Sequence, residues 1–345
     1  MPAAVLFGCA GPRLGSEERA FFRRVNPIGF ILFARNIETA PQVRKLVSAL
    51  RESVGRSDAP VLIDQEGGRV ARLKPPIAWG APPAAAIGAL AQRDAVAAER
   101  AAFLSARLTA ADLAGLGITV DCAPVADLRW PGAHEVIGDR AYSDDPGVVA
   151  RLAVAACDGF LAGGVTPVFK HVPGHGRARS DSHHELPRIE ADLDSLQRTD
   201  FAPFRELAAR HGHSSWAMTA HIVVAAIDDE PVTLSKRALD QIVRAAIGFD
   251  GLIVSDDLSM QALSGGLRDR AAGALAAGCD LVLHCNGDPA EMASVADAAP
   301  ELTAAARSRF DRAEAVRRSR ALPCDPGLLK AEFDALLGQG GRPAA

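Results

Sequence analysis

The sequence has no long hydrophobic segment and no marked excess of charge of either sign. None of its apolar runs approaches the roughly 20 residues that a membrane-spanning helix requires. The formal net charge of −4 gives the chain no general electrostatic attraction to nucleic acid or to an anionic membrane surface. We therefore expect neither nucleic acid nor membrane among its partners, and we expect a monomer.

The chain also has no C-x-x-C pair, and its N-terminus has no basic start of the kind that opens a secretory signal. Its six cysteines are scattered along 345 residues. At this length, scattered cysteines indicate buried thiols in a reducing compartment and not a disulfide framework. The sequence therefore predicts a cytoplasmic protein.

Short apolar runs alternate with longer segments of helical spacing. The runs are nearly continuous in apolar residues, which is typical of parallel strands buried on both faces. They cover 3–7, 29–33, 60–63, 118–122, 165–169, 216–219, 252–254 and 280–283. Eight such strands predict an α/β fold, a single (β/α)8 TIM-type barrel. We expect one catalytic domain over residues 1–345, with a frayed tail over 337–345.

Three intervening segments have clear helical signals. Val43, Leu46, Val47 and Leu50 fall on one helical face. The alanine-rich segment 95–113 predicts a helix that ends near Gly115, and Ser235 is placed to cap the start of another.

Polar residues follow five of the predicted strands. In a parallel barrel these strand ends share one rim, so their side chains line a common cleft. Taken singly, each residue has an ordinary alternative as a helix cap, a surface ion pair or a solvated loop residue. The residues are Asp64, Glu66, Arg69 and Arg72; Asp127 and Arg140; Lys170 and His171; His221; and Asp256 and Asp257.

The densest of these groups lies between Lys170 and His183. Fourteen positions hold one lysine, three histidines and one aspartate, together with two glycines and a proline. Glycine and proline fix turns, so we predict a rigidly bent loop on which polar groups converge.

Two chemistries suit such a cleft. In glycoside hydrolysis a carboxylate attacks the anomeric carbon and a separate acid protonates the leaving oxygen. Asp256 can supply the carboxylate, and the pair Asp181 and His183 can supply the acid. Metal-dependent hydrolysis of an amide or ester is the alternative, but the only H-x-H pair, His211 and His213, precedes its strand. A catalytically silent sugar-binding protein is a third possibility.

Several segments resemble the family 3 glycoside hydrolases, and more narrowly the bacterial β-N-acetylglucosaminidases of the NagZ type. The main one is Lys-His-Val-Pro-Gly-His-Gly at 170–176, continued by Asp-Ser-His at 181–183 and Leu-Pro at 186–187. The others are 30–36, 64–70, 123–127, 137–141 and 255–260. All fall in one register, and the visible departure is Val172, where the family more often has phenylalanine.

The resemblance implies a role for each matching residue. By this resemblance Asp256 would be the nucleophile, His183 would be the general acid/base, and Asp181 would orient His183. The residues that bind the N-acetylglucosamine unit are Asp64, Arg72, Arg140, Lys170 and His171. No metal and no cofactor is implied.

The resemblance also implies a substrate and a reaction. By this resemblance the protein would be a retaining exo-β-N-acetylglucosaminidase of peptidoglycan recycling, with a covalent glycosyl-Asp intermediate. It releases N-acetylglucosamine from fragments in which this sugar is linked to 1,6-anhydro-N-acetylmuramic acid, with or without peptide. The residues alone do not separate Asp256 from Asp257, since neighbouring strand positions point to opposite faces; the family register selects Asp256.

Overall fold

The computed structural model describes residues 1–338. Eight parallel strands close into a barrel in which every strand pairs with its neighbours in sequence and the last pairs with the first. The strands are β1 (Ala3–Gly8), β2 (Pro27–Leu32), β3 (Val61–Ile63), β4 (Val120–Asp121), β5 (Thr166–Val172), β6 (Trp216–Thr219), β7 (Leu252–Asp257) and β8 (Leu281–His284). The predicted α/β barrel is therefore confirmed.

Helices surround this barrel. They are α1 (Ser16–Val25), α2 (Ala40–Ser53), α3 (Ala84–Ala91), α4 (Ala95–Leu116), α5 (Pro146–Ala162), α6 (Leu193–Arg198), α7 (Ala202–His211), α8 (Lys236–Ala238, continued as a π-helix over Leu239–Ala246), α9 (Leu267–Ala277), α10 (Pro289–Ala296), α11 (Ala304–Arg320) and α12 (Pro326–Leu336). Short two-stranded pairs, Gln65–Gly67 with Val70–Ala71 and Arg188–Ile189 with Val223–Val224, lie in the loops.

Alternate residues of each strand face two different parts of the core. In β1, Leu6 packs with the barrel interior, whereas Val5 and Phe7 pack between the strands and the helices. The period of two in a strand produces this alternation. The same alternation determines which polar side chains face inward at the carboxyl ends of the strands.

The helix signals in the sequence are mostly correct. Ser235 caps α8 by accepting a hydrogen bond from the Ala238 N–H. The predicted apolar face of α2 is buried, comprising Val43, Leu46, Val47 and Leu50. The glycine that caps α4 was predicted wrongly: Gly115 lies within the helix, which ends at Leu116, and Gly117 is the C-cap. Gly117 has a positive φ of 83°, a conformation that glycine adopts without a steric cost.

Two strands extend beyond their apolar runs. Lys170 and His171 lie within β5, and Asp256 and Asp257 lie within β7. Our prediction that Lys170 and His171 belong to a bent loop is therefore wrong. The apolar-run criterion ends a strand at its first polar residue, whereas ion pairing lets these two side chains be buried inside the strand.

Within residues 1–338, no helix is long and apolar enough to cross a membrane. The predicted frayed tail lies almost wholly outside the described residues. Only Leu337 and Gly338 are described, and they form the turn after α12.

Candidate active site

A cavity of about 460 Å³ opens at the carboxyl ends of the strands. Its volume is within the ordinary range of small-molecule sites. All the residues that the sequence predicted as catalytic or binding line this one cavity: Asp64, Arg72, Arg140, Lys170, His171, Asp181, His183 and Asp256. Glu66, Arg69, His134, Glu135, His175 and Met218 are among the other lining residues.

A chain of alternating charges forms one side of the cavity. Lys170 Nζ lies 2.8 Å from Asp64 Oδ1 and 2.7 Å from Glu66 Oε1. Asp64 also pairs with Arg72 at 3.1 Å, and Glu66 accepts two hydrogen bonds of 2.8 Å from Arg140. Three cations thus alternate with two carboxylates, so each carboxylate has two cationic partners.

The pKa values of this charge chain favour full ionisation. Burial acts to raise the pKa of Asp64, but the charges of Lys170 and Arg72 outweigh it and hold the pKa below its ordinary value. Burial is likewise outweighed at Glu66, where Arg140 and Lys170 lower the pKa strongly. The pKa of Lys170 is raised, because Asp64 and Glu66 overcome the effect of its burial. The chain therefore presents fixed charges that a sugar hydroxyl can hydrogen-bond.

His171 is oriented by a buried carboxylate. Its Nδ1 lies 2.7 Å from Asp127 Oδ2, and Asp127 is fully buried. Burial acts to raise the pKa of Asp127, but His171 outweighs it and holds the pKa below its ordinary value. Asp127 is therefore a carboxylate, which can accept hydrogen bonds but cannot donate one. Nδ1 therefore carries a proton, and Nε2 is the ring nitrogen available to the cavity that His171 lines.

The geometry separates Asp256 from Asp257. Leu252 and Val254 face the barrel interior, so the period of two places Asp256 on the same face, where it lines the cavity. The carboxylate of Asp257 faces the other way. It accepts hydrogen bonds from Ser259 N–H and Oγ–H and from the Cys285 N–H.

The carboxylate of Asp256 lies among groups that stabilise its charge. Burial raises its pKa, but His221, His171 and the Asp257 N–H together bring it below the ordinary value. That N–H donates to Asp256 Oδ1 at 2.8 Å. Asp256 is therefore ionised at neutral pH and can act as a nucleophile or as a countercharge to a cationic transition state.

His221 supports the strand that bears Asp256. Its Nε2 lies 3.0 Å from the Asp257 carbonyl oxygen, which can only accept, so Nε2 carries the proton. Its Nδ1 lies 2.7 Å from Thr233 Oγ1. Burial lowers the pKa of His221, so the ring is neutral and Nδ1 accepts from the threonine hydroxyl.

Asp181 and His183 lie on the loop after β5, at the mouth of the cavity. His183 Nδ1 is 2.7 Å from Asp181 Oδ1, and the His183 side chain is 59% exposed. Burial acts to raise the pKa of Asp181, but the hydrogen bonds from the His183 N–H and ring outweigh it and lower the pKa. Asp181 is therefore a carboxylate that accepts from the His183 Nδ1–H. This contact leaves Nε2 as the ring nitrogen that can exchange a proton with a bound ligand.

His211 and His213 lie at the opposite end of the barrel from this cavity, at the end of α7 and before β6. Among residues 1–338, no group of three or more histidine, cysteine, aspartate or glutamate side chains is arranged to hold a metal ion. The metal-dependent alternative thus has no candidate ligand set in the described part of the chain.

Comparison with known proteins identifies the family. The glycosyl hydrolase family 3 N-terminal domain matches residues 12–318. The chain belongs to glycosyl hydrolase family 3. It is a glycoside hydrolase, and the membership inferred from the motifs is confirmed.

The relatives of this family 3 hydrolase are consistent with one another. The β-hexosaminidase of Aromatoleum aromaticum is 36% identical over 331 residues, covering 94% of this chain and 90% of the relative. The β-hexosaminidase of Pseudomonas aeruginosa PAO1 is 38% identical over 288 residues, covering 83% of each. The crystal structure of native NagZ from Neisseria gonorrhoeae is 33% identical with a TM-score of 0.84, covering 99% of this chain and 98% of that one. A structure of that NagZ in complex with N-trifluoroacetyl-D-glucosamine aligns equally well.

Three residues of the family 3 hydrolase site were not assigned roles from the sequence: Glu66, Asp127 and His221. Glu66 lies two positions after Asp64, and the strand period of two was a signal that both could face one cleft. Asp127 and His221 each follow a predicted strand, but nothing in the sequence showed that they hold His171 and the Asp256 strand. Those contacts join residues far apart in the chain.

One buried carboxyl beside the family 3 hydrolase site predicts a pH dependence of stability. Asp121 accepts a 3.0 Å hydrogen bond from the Gln65 N–H, while its Oδ2 has no partner among the described residues. Burial raises the pKa of Asp121 to about 8. Since the folded pKa exceeds the unfolded one, this group stabilises the fold fully only below about pH 4, and the contribution is lost as pH rises through about 8.

Asp121→Asn should remove this loss. We expect the variant to gain on the order of 5 kcal/mol relative to the wild type between pH 4 and pH 8.5, because an amide does not ionise and each pKa unit corresponds to about 1.4 kcal/mol. Urea unfolding at the two pH values measures the difference. Asp297→Asn, which removes an exposed carboxyl, is the control and should show no comparable change. An unchanged pH dependence in Asp121→Asn would mean that the carboxyl ionises freely in the fold.

Proposed function

We propose that this protein is a retaining exo-β-N-acetylglucosaminidase of peptidoglycan recycling. Its substrates are fragments in which N-acetylglucosamine is β-linked to 1,6-anhydro-N-acetylmuramic acid, with or without peptide, and it acts as a monomer in the cytoplasm. One observation carries the proposal: an ionised, half-buried Asp256 lines the same cavity as the Asp181–His183 pair, of which His183 is exposed. The names of the relatives, β-hexosaminidase and NagZ, support the choice of an amino sugar.

The first step uses the two sides of the cavity. The Asp256 carboxylate attacks the anomeric carbon and forms a glycosyl ester, while protonated His183 gives its Nε2 proton to the departing oxygen. Asp181 stabilises the imidazolium and fixes the ring through Nδ1. His183 is then neutral.

In the second step the roles of His183 reverse. The neutral imidazole takes a proton from water, and the water oxygen attacks the anomeric carbon and displaces Asp256. Two displacements on one carbon retain the β configuration. An imidazole suits both directions, since its ordinary pKa of about 6.5 is close to neutral pH.

The charge chain supports exo action at the non-reducing sugar. Asp64, Lys170 and Arg72 lie on one side of the cavity with their charges already paired, so they can bind hydroxyl groups of one terminal sugar. His183 lies at the exposed mouth, where the rest of the substrate would leave. Digestion of a linear tetramer of β-linked N-acetylglucosamine, with chromatography of the first products, tests this: exo action gives the monosaccharide and a trimer, whereas early release of the disaccharide would contradict it.

Replacing His183 tests the acid/base role. In His183→Ala, kcat/KM should fall by about 10²–10⁴ for phenyl β-N-acetylglucosaminide. The fall should be far smaller for the 2,4-dinitrophenyl analogue, because a good leaving group departs without a proton. Initial rates with both substrates measure the contrast. His184→Ala, at the exposed neighbouring position outside the cavity lining, is the control. Equal losses for both substrates would remove His183 from the role.

A further inference from the structure

A contact between two buried side chains holds the loop that carries Asp181 and His183. His175 Nε2 lies 3.2 Å from Ser182 Oγ, and the two residues are only 3% and 4% exposed. Ser182 stands directly between Asp181 and His183 in the sequence. A restraint on Ser182 therefore acts on both neighbours through one peptide bond each.

The backbone around His175 is fixed independently. The His175 N–H donates to Asp127 Oδ1 at 2.7 Å, the same carboxylate that orients His171. Gly174 has a φ of +134°, which side-chain-bearing residues rarely adopt. A Cβ at Gly176 would collide with the Leu128 carbonyl oxygen. The Gly-His-Gly sequence thus allows a close backbone approach that places the imidazole beneath Ser182.

The loop is held on a second side by the turn after β7. The Ser182 carbonyl accepts from the Ala262 N–H at 3.2 Å, and the His183 carbonyl accepts from the Gln261 N–H at 3.4 Å. This turn directly follows the strand that bears Asp256. Segment 181–183 therefore lies between the His175 ring and an extension of the Asp256 strand.

The His175 ring makes no other hydrogen bond in the described chain. Its Nδ1 is buried and unpartnered. Burial, with a smaller effect of His171, lowers the pKa of His175 to about 4, so the ring is neutral at neutral pH. His175 and Ser182 both line the cavity. The contact with Ser182 Oγ is the one hydrogen bond that the His175 ring makes among the described residues.

We propose that His175 is a positioning residue for the general acid/base: through Ser182 Oγ, it holds segment 181–183 so that His183 Nε2 can reach the leaving oxygen. This inference rests on the proposed function, in which His183 is the acid/base. It assigns His175 no contact with substrate. Loss of the contact lets the segment shift, and a displacement of about 1 Å in a catalytic group can cost about 10²-fold in rate.

Ser182→Ala tests the proposal with the least disturbance, since it removes one oxygen and keeps the backbone. We expect kcat/KM for phenyl β-N-acetylglucosaminide to fall about 10–100-fold, and for the 2,4-dinitrophenyl analogue by less than about threefold. Ser180→Ala is a serine-to-alanine change on the same loop, outside the cavity lining. It should leave both values unchanged.

Replacements of His175 test the contact from the other side. A glutamine amide reaches about as far as imidazole Nε2, so His175→Gln should restore most of the phenyl substrate rate that His175→Leu loses. In the double variant His175→Leu with Ser182→Ala, the losses should not add, because both changes break one contact.

The outcomes distinguish the positioning role of His175 from the proposed function on which it rests. If His183→Ala shows the leaving-group contrast and Ser182→Ala behaves like Ser180→Ala, the positioning role is wrong while the function stands. If Ser182→Ala slows both substrates equally, the contact is merely structural and the proposal is also overturned. If the wild type does not hydrolyse either aryl glycoside, the proposed function itself has failed.

Discussion

Asp256→Asn should lower kcat/KM for an aryl β-N-acetylglucosaminide by at least about 10⁴-fold, without loss of the fold. An amide is a poor nucleophile and has no charge to offset a cationic transition state. Asn has the same shape and keeps an oxygen that can accept from the Asp257 N–H. Steady-state rates together with a thermal unfolding curve measure both parts of the prediction.

Asp257→Asn is the matched control, one position away in the same strand. Its side-chain oxygen can still accept from the Ser259 and Cys285 N–H groups, and its amide can donate to Ser259 Oγ. We expect kcat/KM to fall less than tenfold. If the two variants exchanged behaviour, with Asp257→Asn inactive and Asp256→Asn active, the assignment of the nucleophile would be wrong.

Covalent trapping of the sugar on the protein tests the role of Asp256 directly. A 5-fluoro or 2-deoxy-2-fluoro amino sugar with a good leaving group should label wild-type protein and leave Asp256→Asn unlabelled. Peptide mapping by mass spectrometry should place the label on the peptide that contains Asp256. A label elsewhere, or none with active enzyme, would argue against a glycosyl ester at this position.

Lys170→Ala should have the largest effect on stability. Lys170 Nζ pairs with both Asp64 and Glu66, and its side chain is 3% exposed. Its removal leaves each carboxylate buried with only one arginine partner. Breaking a buried ion pair from one side costs about 3–5 kcal/mol, so the midpoint of urea unfolding should fall markedly, and activity with it.

An exposed lysine provides the comparison for this change. Lys236 pairs with Asp240 at 2.7 Å, but its side chain is 71% exposed. Lys236→Ala should cost less than about 0.5 kcal/mol. If Lys170→Ala and Lys236→Ala proved equally mild, water would have to reach Asp64 and Glu66 in the folded protein.

The barrel was predictable from the sequence because its strands are short, apolar and regularly separated by helical segments. The rim residues were predictable because they directly follow those runs. Strand limits were harder, because Lys170 and Asp256 are polar residues within strands. Lys170 is buried against Asp64 and Glu66, and the half-buried Asp256 accepts a hydrogen bond from the Asp257 N–H. The residues alone left the choice between Asp256 and Asp257 open, and only the family resemblance selected Asp256. In the structure Leu252 and Val254 face inward, which places Asp256 on the cavity side.

Residues that act through other residues were not predictable. Glu66 lies beside Lys170, and Asp127 binds His171, over separations of 104 and 44 positions. Local patterns contain no information about such partners. The Gly-His-Gly segment shows the same limit, since the reason for its glycines is the approach of Leu128 and the position of Asp200.

The charge chain affects how long a glycosyl ester at Asp256 would last. Arg72, Lys170 and Arg140 alternate with two carboxylates, Asp64 and Glu66, and the charge of Lys170 also helps to lower the pKa of Asp256. Esterification of Asp256 erases one negative charge and leaves the positive charge of Lys170 less balanced in this part of the site. That imbalance favours the return of the carboxylate, so the ester should break down quickly and stay scarce during steady turnover.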